Sequence, residues 1–347
     1  MTLLKFLTLV LFLVSFSCKK ETPSDPPNGP DTTSHSISWQ TDSIGYYSSR
    51  LLGVCGTSET NVYAVGVIED EGTGLPSFLA RYNGVSWIKI MDDSLNWWIG
   101  AGLLAAVHSL SDTCIFVAGS SFDSNDIHGF VGRWNGRNWQ NISPDSSSSL
   151  LAIWAKSATD VYVGGDVGTV LHYDGNSWQR LPNAMDHDVR DIVGLSTGEV
   201  YAVATDYFNS LVGSFVLRFE GSTVIQEHFF ALGRMFGVWG GQGVGLYTTG
   251  EGTFHTQDGS TWEEILTPSP SVAMFSVTGI SSNNVLVAGS YGAVMHWSGG
   301  SWRFYDELYD RSSSRSYFKA FAIGNKYFLV GNTPTHALMT IGTRINQ

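Results

Sequence analysis

Apolar residues in this chain fall in short runs separated by polar turns, and the runs recur in groups of four. The plainest group spans 150–181, LLAIWAKSATDVYVGGDVGTVLHYDGNSWQRL, and it returns at 275–305 as FSVTGISSNNVLVAGSYGAVMHWSGGSWRFY. Copies with a longer middle lie at 51–90 and 103–142, and another copy covers 235–265. A weaker copy at 189–227 has Val224 where the others carry Trp. The second run of each group, as in Asn61-Val62-Tyr63-Ala64-Val65-Gly66, is rich in β-branched and aromatic residues and is too short for a helix. The third and fourth runs meet at a turn dipeptide: Asn83-Gly84, Asn135-Gly136, Asp174-Gly175, Glu220-Gly221, Asp258-Gly259 and Gly299-Gly300. Asn-Gly and Asp-Gly suit the left-handed torsions of a type I′ hairpin. Four antiparallel strands in roughly 40 residues make one blade of a β-propeller.

The repeats predict a seven-bladed, all-β propeller of four-stranded antiparallel blades. Six copies are complete. A seventh starts at Phe318 with FKAFAIGNKYFLVGN and ALMTIGTRI, then ends three strands in, without a terminal Trp. Ser36-Ile37-Ser38-Trp39-Gln40 alternates correctly and carries the missing Trp ahead of the first blade. The N-terminal strand is therefore expected to complete the last blade and remove the open edge. The recurring Trp87, Trp139, Trp178, Trp262 and Trp302 are expected to pack between blades. His108, Trp154 and Trp239 share one position of the innermost strand, aligned with Cys55, Gly194, Thr278 and Ala322, and are expected in the inter-blade core rather than a channel lining.

Composition narrows the function. Charged residues are 14% of the 347, Gly numbers 39 and Trp 12, which fits tight turns and sheets better than a helical enzyme. The formal net charge of −12 argues against nucleic acid, whose binding needs a basic surface to displace counterions.

Residues 1–17 read as a signal peptide, with Lys5 ahead of an apolar run from Phe6 to Phe16. The run ends Val14-Ser15-Phe16-Ser17-Cys18, which resembles a bacterial lipobox, although Ser15 stands where that family usually has Leu. The resemblance, strongest to lipoproteins of Bacteroidota-like bacteria, implies an acylated (palmitate-bearing) Cys18 as the first mature residue. Residues 18–35 read as a flexible tether, rich in Pro, Ser, Thr and Asp, and 36–347 as the propeller. The anchor implies an extracytoplasmic protein of the cell envelope, expected at the outer membrane, with the inner membrane and the cell surface as the alternatives. Cys55 and Cys114 are expected as unpaired thiols, with a Cys55–Cys114 disulfide as the alternative.

Thr256-Gln257-Asp258-Gly259-Ser260-Thr261-Trp262 resembles an Asp-box, and the repeats as a whole resemble propellers of the BNR or photosystem-assembly-factor type. Such a fold hosts many functions. Strand-two-to-three connections are long in blades one, two and four (68–77, 120–129 and 205–214) and share a face with the inter-blade connections at 91–102, 228–234 and 306–317. That face is expected to gather Trp97, Trp98, Tyr207, Phe208, Phe229, Phe230 and Tyr309, with Glu69, Asp70, Glu71, Asp92, Asp93, Asp123 and Asp126. Aromatic anchors in a polar rim suit recognition. The partner-binding set is Trp97, Trp98, Asp70, Asp92, Asp93, Tyr207 and Phe208.

Motif chemistry is sparse. There is no HExxH, P-loop or dinucleotide fingerprint. Asp123-Ser124-Asn125-Asp126 and His128 offer oxygen ligands without EF-hand spacing. Sialidases share the Asp-box but need an arginine cluster and a Tyr nucleophile, and their N-terminal Phe-Arg-Ile-Pro-type motif is missing. The expectation is a protein that is not an enzyme, with no metal or cofactor, binding a protein or glycan partner and touching the membrane through its anchor alone. The alternatives are a structural or assembly subunit of a membrane complex, or a carbohydrate-active enzyme.

Overall fold

The structure is a computed structural model that describes residues 33–345, apart from 73, 101, 123–125, 183–185, 232, 242 and 266–270. The signal peptide, the acylation site Cys18, most of the tether, and Asp123 lie outside the described residues.

Seven four-stranded antiparallel sheets form a ring. Blade one comprises Arg50–Ser58, Asn61–Ile68, Ser77–Tyr82 and Trp87–Ile90, from the axis outward. Blades two to six begin with innermost strands Leu103–Ser111, Leu150–Ser157, Asp188–Gly194, Met235–Gly241 and Met274–Ser281. Blade seven takes Ser316–Ile323, Lys326–Asn332 and Ala337–Arg344 from the end of the chain, and Ile37–Ile44 from its beginning. Trp39 pairs with Gly342, its ring lies against the Gly342 backbone, and it meets Tyr305 of blade six edge-on at 5.1 Å. The expected circular closure is thus made by eight paired residues, Ile37↔Arg344 to Ile44↔Ala337.

The apolar core is divided into seven clusters, each between two neighbouring blades; one joins Val54 and Ala64 of blade one to Phe328 and Met339 of blade seven. The outer-strand Trp residues serve these clusters, as expected. Trp87 reaches Phe328, Trp262 reaches Phe230, and Trp178 donates from Nε1 to the Ile142 carbonyl at 2.6 Å.

The turns differ from expectation. At Asn83-Gly84 only the glycine is left-handed (φ 97°), and the hairpin holds four residues between Tyr82 and Trp87. The Asn83 side chain accepts from the Val85 and Ser86 amides, both at 2.9 Å, and Asn135, Asp174 and Asp258 do the same in their blades. The Asn or Asp is there to accept hydrogen bonds, not to adopt positive φ. The glycine is required twice over, since a Cβ on Gly84 would press on the Thr60 side chain. Type I′ geometry occurs instead in the short strand-two-to-three turns, at Val167-Gly168 (φ 52° and 63°) and Tyr291-Gly292 (59° and 74°).

Both ends of the described chain lie on one face. Thr33 donates to the carbonyls of Ser298 (2.8 Å) and Asn283 (2.6 Å), and Ile345 donates to Ser36 at 2.9 Å. These are the turns after first and third strands. The long loops lie on the other face. Among the described residues no helix is long and apolar enough to span a membrane.

Candidate functional site: the central cavity

Each innermost strand of the ring carries a β-bulge at the same place, two or three residues in from the loop-rich face. The unpaired residues are Leu52, Ala105, Leu151, Arg190, Phe236, Phe275 and Phe318. In each case the preceding residue (Leu51, Leu104, Leu150, Val189, Met235, Met274 or Tyr317) is fully buried between blades. The bulge turns its extra residue to the axis, as bulges re-aim side chains elsewhere. All seven line one cavity of about 520 Å³ at the centre of the ring, a size that suits a small ligand or a few side chains.

The cavity is lopsided. Phe236, Phe275 and Phe318 of blades five to seven meet in sequence at 5.3 and 5.7 Å between ring centres. Tyr207, from the long loop of blade four, extends this aromatic arc at 6.0 Å from Phe236. The opposite wall is aliphatic: Leu52, Ala105 and Leu151. Arg190 stands at the junction, with its guanidinium 4.9 Å above the Tyr207 ring and one nitrogen 3.6 Å from Asp188. Arg50 also lines the space.

One residue below the bulges, an ion pair crosses the axis. Lys319 of blade seven donates to Asp191 of blade four, Nζ to Oδ1 at 2.5 Å. The other Asp191 oxygen accepts the Val238 amide of blade five at 3.1 Å. Ser276 holds the equivalent place in blade six and accepts the Ala320 amide of the next blade at 3.0 Å. Deeper still lies a ring of Cys55, His108, Trp154, Val193, Trp239, Thr278 and Phe321. The sequence alignment placed Gly194 and Ala322 in this ring. The pairing puts Val193 and Phe321 there, one residue earlier, each three residues after the bulge of its strand as in the other five blades. Gly194 instead accepts the Trp154 ring on its bare Cα, and Gly279 does so for Trp239. Both indoles therefore serve the inter-blade packing and also floor the cavity, contrary to the reading of core alone.

The deep groups are held uncharged. Burial lowers the His108 imidazole to about 4. Burial pushes the Cys55 thiol up, against a 3.2 Å contact with Ser109. Cys55 and Cys114 are free thiols, in separate clusters.

The sequence-predicted residues do not all line the cavity. Tyr207 alone lines the cavity, and Phe208 beside it is 92% exposed. Trp97 is 85% exposed on the short helix Asp93–Ile99, and Trp98 on that helix turns inward onto Phe130. Asp92 caps the helix, accepting from the Ser94 and Leu95 amides. Asp93 occupies its acidic first turn. Asp70 pairs with Lys89. Phe229 and Phe230 are not on a loop at all: they end the strand Thr223–Phe230, Phe230 is buried, and Tyr309 packs on Phe304. Their spacing mimicked an inter-blade connection because the outer strand of blade four runs further than those of blades one, two, three, five and six. Among the described residues no three metal-ligating side chains cluster.

The bulge ring had a sequence signal that alternation hides. Six of the seven innermost strands open with two successive apolar residues: Leu51-Leu52, Leu104-Ala105, Leu150-Leu151, Met235-Phe236, Met274-Phe275 and Tyr317-Phe318. A regular strand would send these to opposite faces; here the first packs between blades and the second lines the axis.

No family model and no curated protein matches this chain. Solved structures do. YCF48 bound to D1 peptide superposes with a TM-score of 0.64 at 16% identity, over 89% of this chain and 97% of that one. Virginiamycin B lyase from Staphylococcus aureus gives 0.63 at 12% identity, over 89% and 100%. The WD40 propeller domain of Doa1 gives 0.61 at 12% identity, over 89% and 98%. At these identities the likeness shows the fold alone. It also corrects the expectation that the chain is not an enzyme. That expectation leaned on the architecture and on missing motifs, and the same architecture at the same coverage belongs to a lyase. The fold assigns no reaction to this chain and excludes none.

Proposed function

We propose that this chain is a lipoprotein of the bacterial cell envelope, acylated at Cys18 and held at the outer membrane, that docks a protein partner on its loop-rich face. The observation that carries the docking is the distribution of exposed apolar side chains. Tyr46, Tyr47, Leu75, Trp97, Val167, Phe208 and Leu211 all stand out from the loops around the cavity mouth, whereas the opposite face offers chiefly Val85, Leu110, Ile280 and Ile345. Exposed apolar surface concentrated on one side of a protein marks an interaction site. The net charge of −12 disfavours an anionic lipid surface as the occupant. One of the similar folds, YCF48, is bound to a D1 peptide, which is consistent with a protein-binding role. Kinship with Asp-box repeats is supported by the turn at Asp258, whose carboxylate accepts the Ser260 and Thr261 amides at 2.9 Å.

The test is a crosslinking capture from native membranes, comparing the full chain with a Trp97→Ala, Phe208→Ser double variant. The partner is expected to be lost with the double variant. Undiminished capture sinks the docking face, and binding to glycans with no protein captured replaces the partner class. Cys18→Ser is expected to release the protein from the membrane fraction; retention there removes the anchor from the reading.

A further inference from the structure

We infer that the central cavity is a binding site for an aromatic group bearing a carboxylate, presented by a segment of the docked partner. The inference rests on the docking reading above for the source of the ligand, but not for its chemistry. The chemistry follows from the lining. Phe236, Phe275 and Phe318 form a continuous arc with the edge-on and tilted contacts that aromatic rings prefer, and the arc faces an aliphatic wall. A planar ring entering between them completes a slot that is aromatic on one side and aliphatic on the other.

Charge selects the substituent. The lining carries Arg50, Arg190 and Lys319 against the single carboxylate of Asp191. Asp191 is already taken by Lys319 and by the Val238 amide, and Arg190 leans on Tyr207 near Asp188. Arg50 makes no ion pair and no side-chain hydrogen bond among the described residues, although it sits at the mouth of the cavity in a chain of net charge −12. An unpaired guanidinium beside an apolar slot recognises a carboxylate.

The probe is N-acetyl-phenylalanine, with N-acetyl-phenylalanine amide as its uncharged twin, titrated by calorimetry into the full chain. The acid is expected to bind saturably, and the amide about tenfold more weakly, as a charge-assisted hydrogen bond is lost. Arg50→Gln should bring the acid down to the affinity of the amide while leaving the amide unchanged. Phe275→Ala should weaken both about fivefold or more. Arg50 is unpaired, so Arg50→Gln is not expected to compromise folding and keeps the test decisive if Phe275→Ala does. Absence of saturable binding, equal affinities for the two probes, or indifference to Arg50→Gln overturns the inference. Selective binding of the acid together with a silent membrane capture keeps the cavity chemistry and retires the docked partner, leaving a free aromatic acid as the ligand.

Discussion

Lys319 of the last blade and Asp191 of the fourth are 128 residues apart in sequence, yet their charged ends meet across the axis of the ring at 2.5 Å. Asp191 is nearly buried and Lys319 is partly exposed. Removing the acid strands the Lys319 ammonium and also orphans the Val238 amide. Asp191→Ala is therefore expected to cost about 2–4 kcal/mol in urea unfolding. Lys319→Met keeps the apolar stem and leaves the Asp191 carboxylate its Val238 amide, so it should cost less, about 1–2 kcal/mol, although it strands the more buried charge. Equal losses for the two would show that the carboxylate's backbone bond contributes nothing.

Trp39 joins the two ends of the chain without a covalent bond. Trp39→Ala removes its contacts with Tyr305 and with Gly342, and is expected to cost about 2–4 kcal/mol. Hydrogen exchange should show Ala337–Arg344 losing protection before the other blades. Uniform loss around the ring would mean that closure is not the weak point.

Val167 adopts φ 52° at a tip where it is 60% exposed. A β-branched residue is strained there, whereas Asn tolerates the conformation. Val167→Asn is expected to stabilise the fold by about 0.5–1 kcal/mol. A lower thermal midpoint for the variant would show that the Val167 side chain makes contacts worth more than the strain.

Gly194 gives the Trp154 ring its seat. Gly194→Ala would place a methyl group inside that ring, so the indole must move toward the cavity it floors. The expected cost is about 1–3 kcal/mol, accompanied by a shift of the Trp emission spectrum. A spectrum and stability like the parent's would mean that the backbone yields instead.

Two imidazoles make the fold sensitive to acid. Burial holds His108 down to about 4 and His296 to about 3, against 6.5 in the unfolded chain. At pH 7 neither state binds the proton and nothing is lost. Between pH 6.5 and 4 the unfolded chain takes up protons that the folded chain refuses, so stability falls as pH falls, by up to about 5 kcal/mol at pH 4.5 for the two groups together. Urea midpoints at pH 7 and 4.5 measure this. His108→Phe should flatten part of the slope; an unchanged slope would assign it elsewhere.

The architecture was legible because a blade repeats its turn chemistry. Asn83, Asn135, Asp174 and Asp258 mark the same hairpin, and one orphan Trp at position 39 was enough to close the circle. What happens at the axis was not legible. A strand read by alternation sends Phe275 and Met274 to opposite sides, and only the extra residue of a bulge separates one for packing and one for the cavity. The pairing of Asp191 with Lys319 was hidden for a different reason: side chains on blades three places apart around a ring have no shared sequence pattern. The loop aromatics were found as residues, but Trp98 and Phe230 were spent on packing, which their chemical type could not reveal.

The hydrogen bonds from Thr33 and Ile345 fasten both ends of the described chain beneath the ring. Whatever grips either end holds the molecule like a cup set upright, with its opening turned outward. A tag placed beyond Ile345 should leave that opening clear, and a surface-tethered copy should greet solution with its bowl.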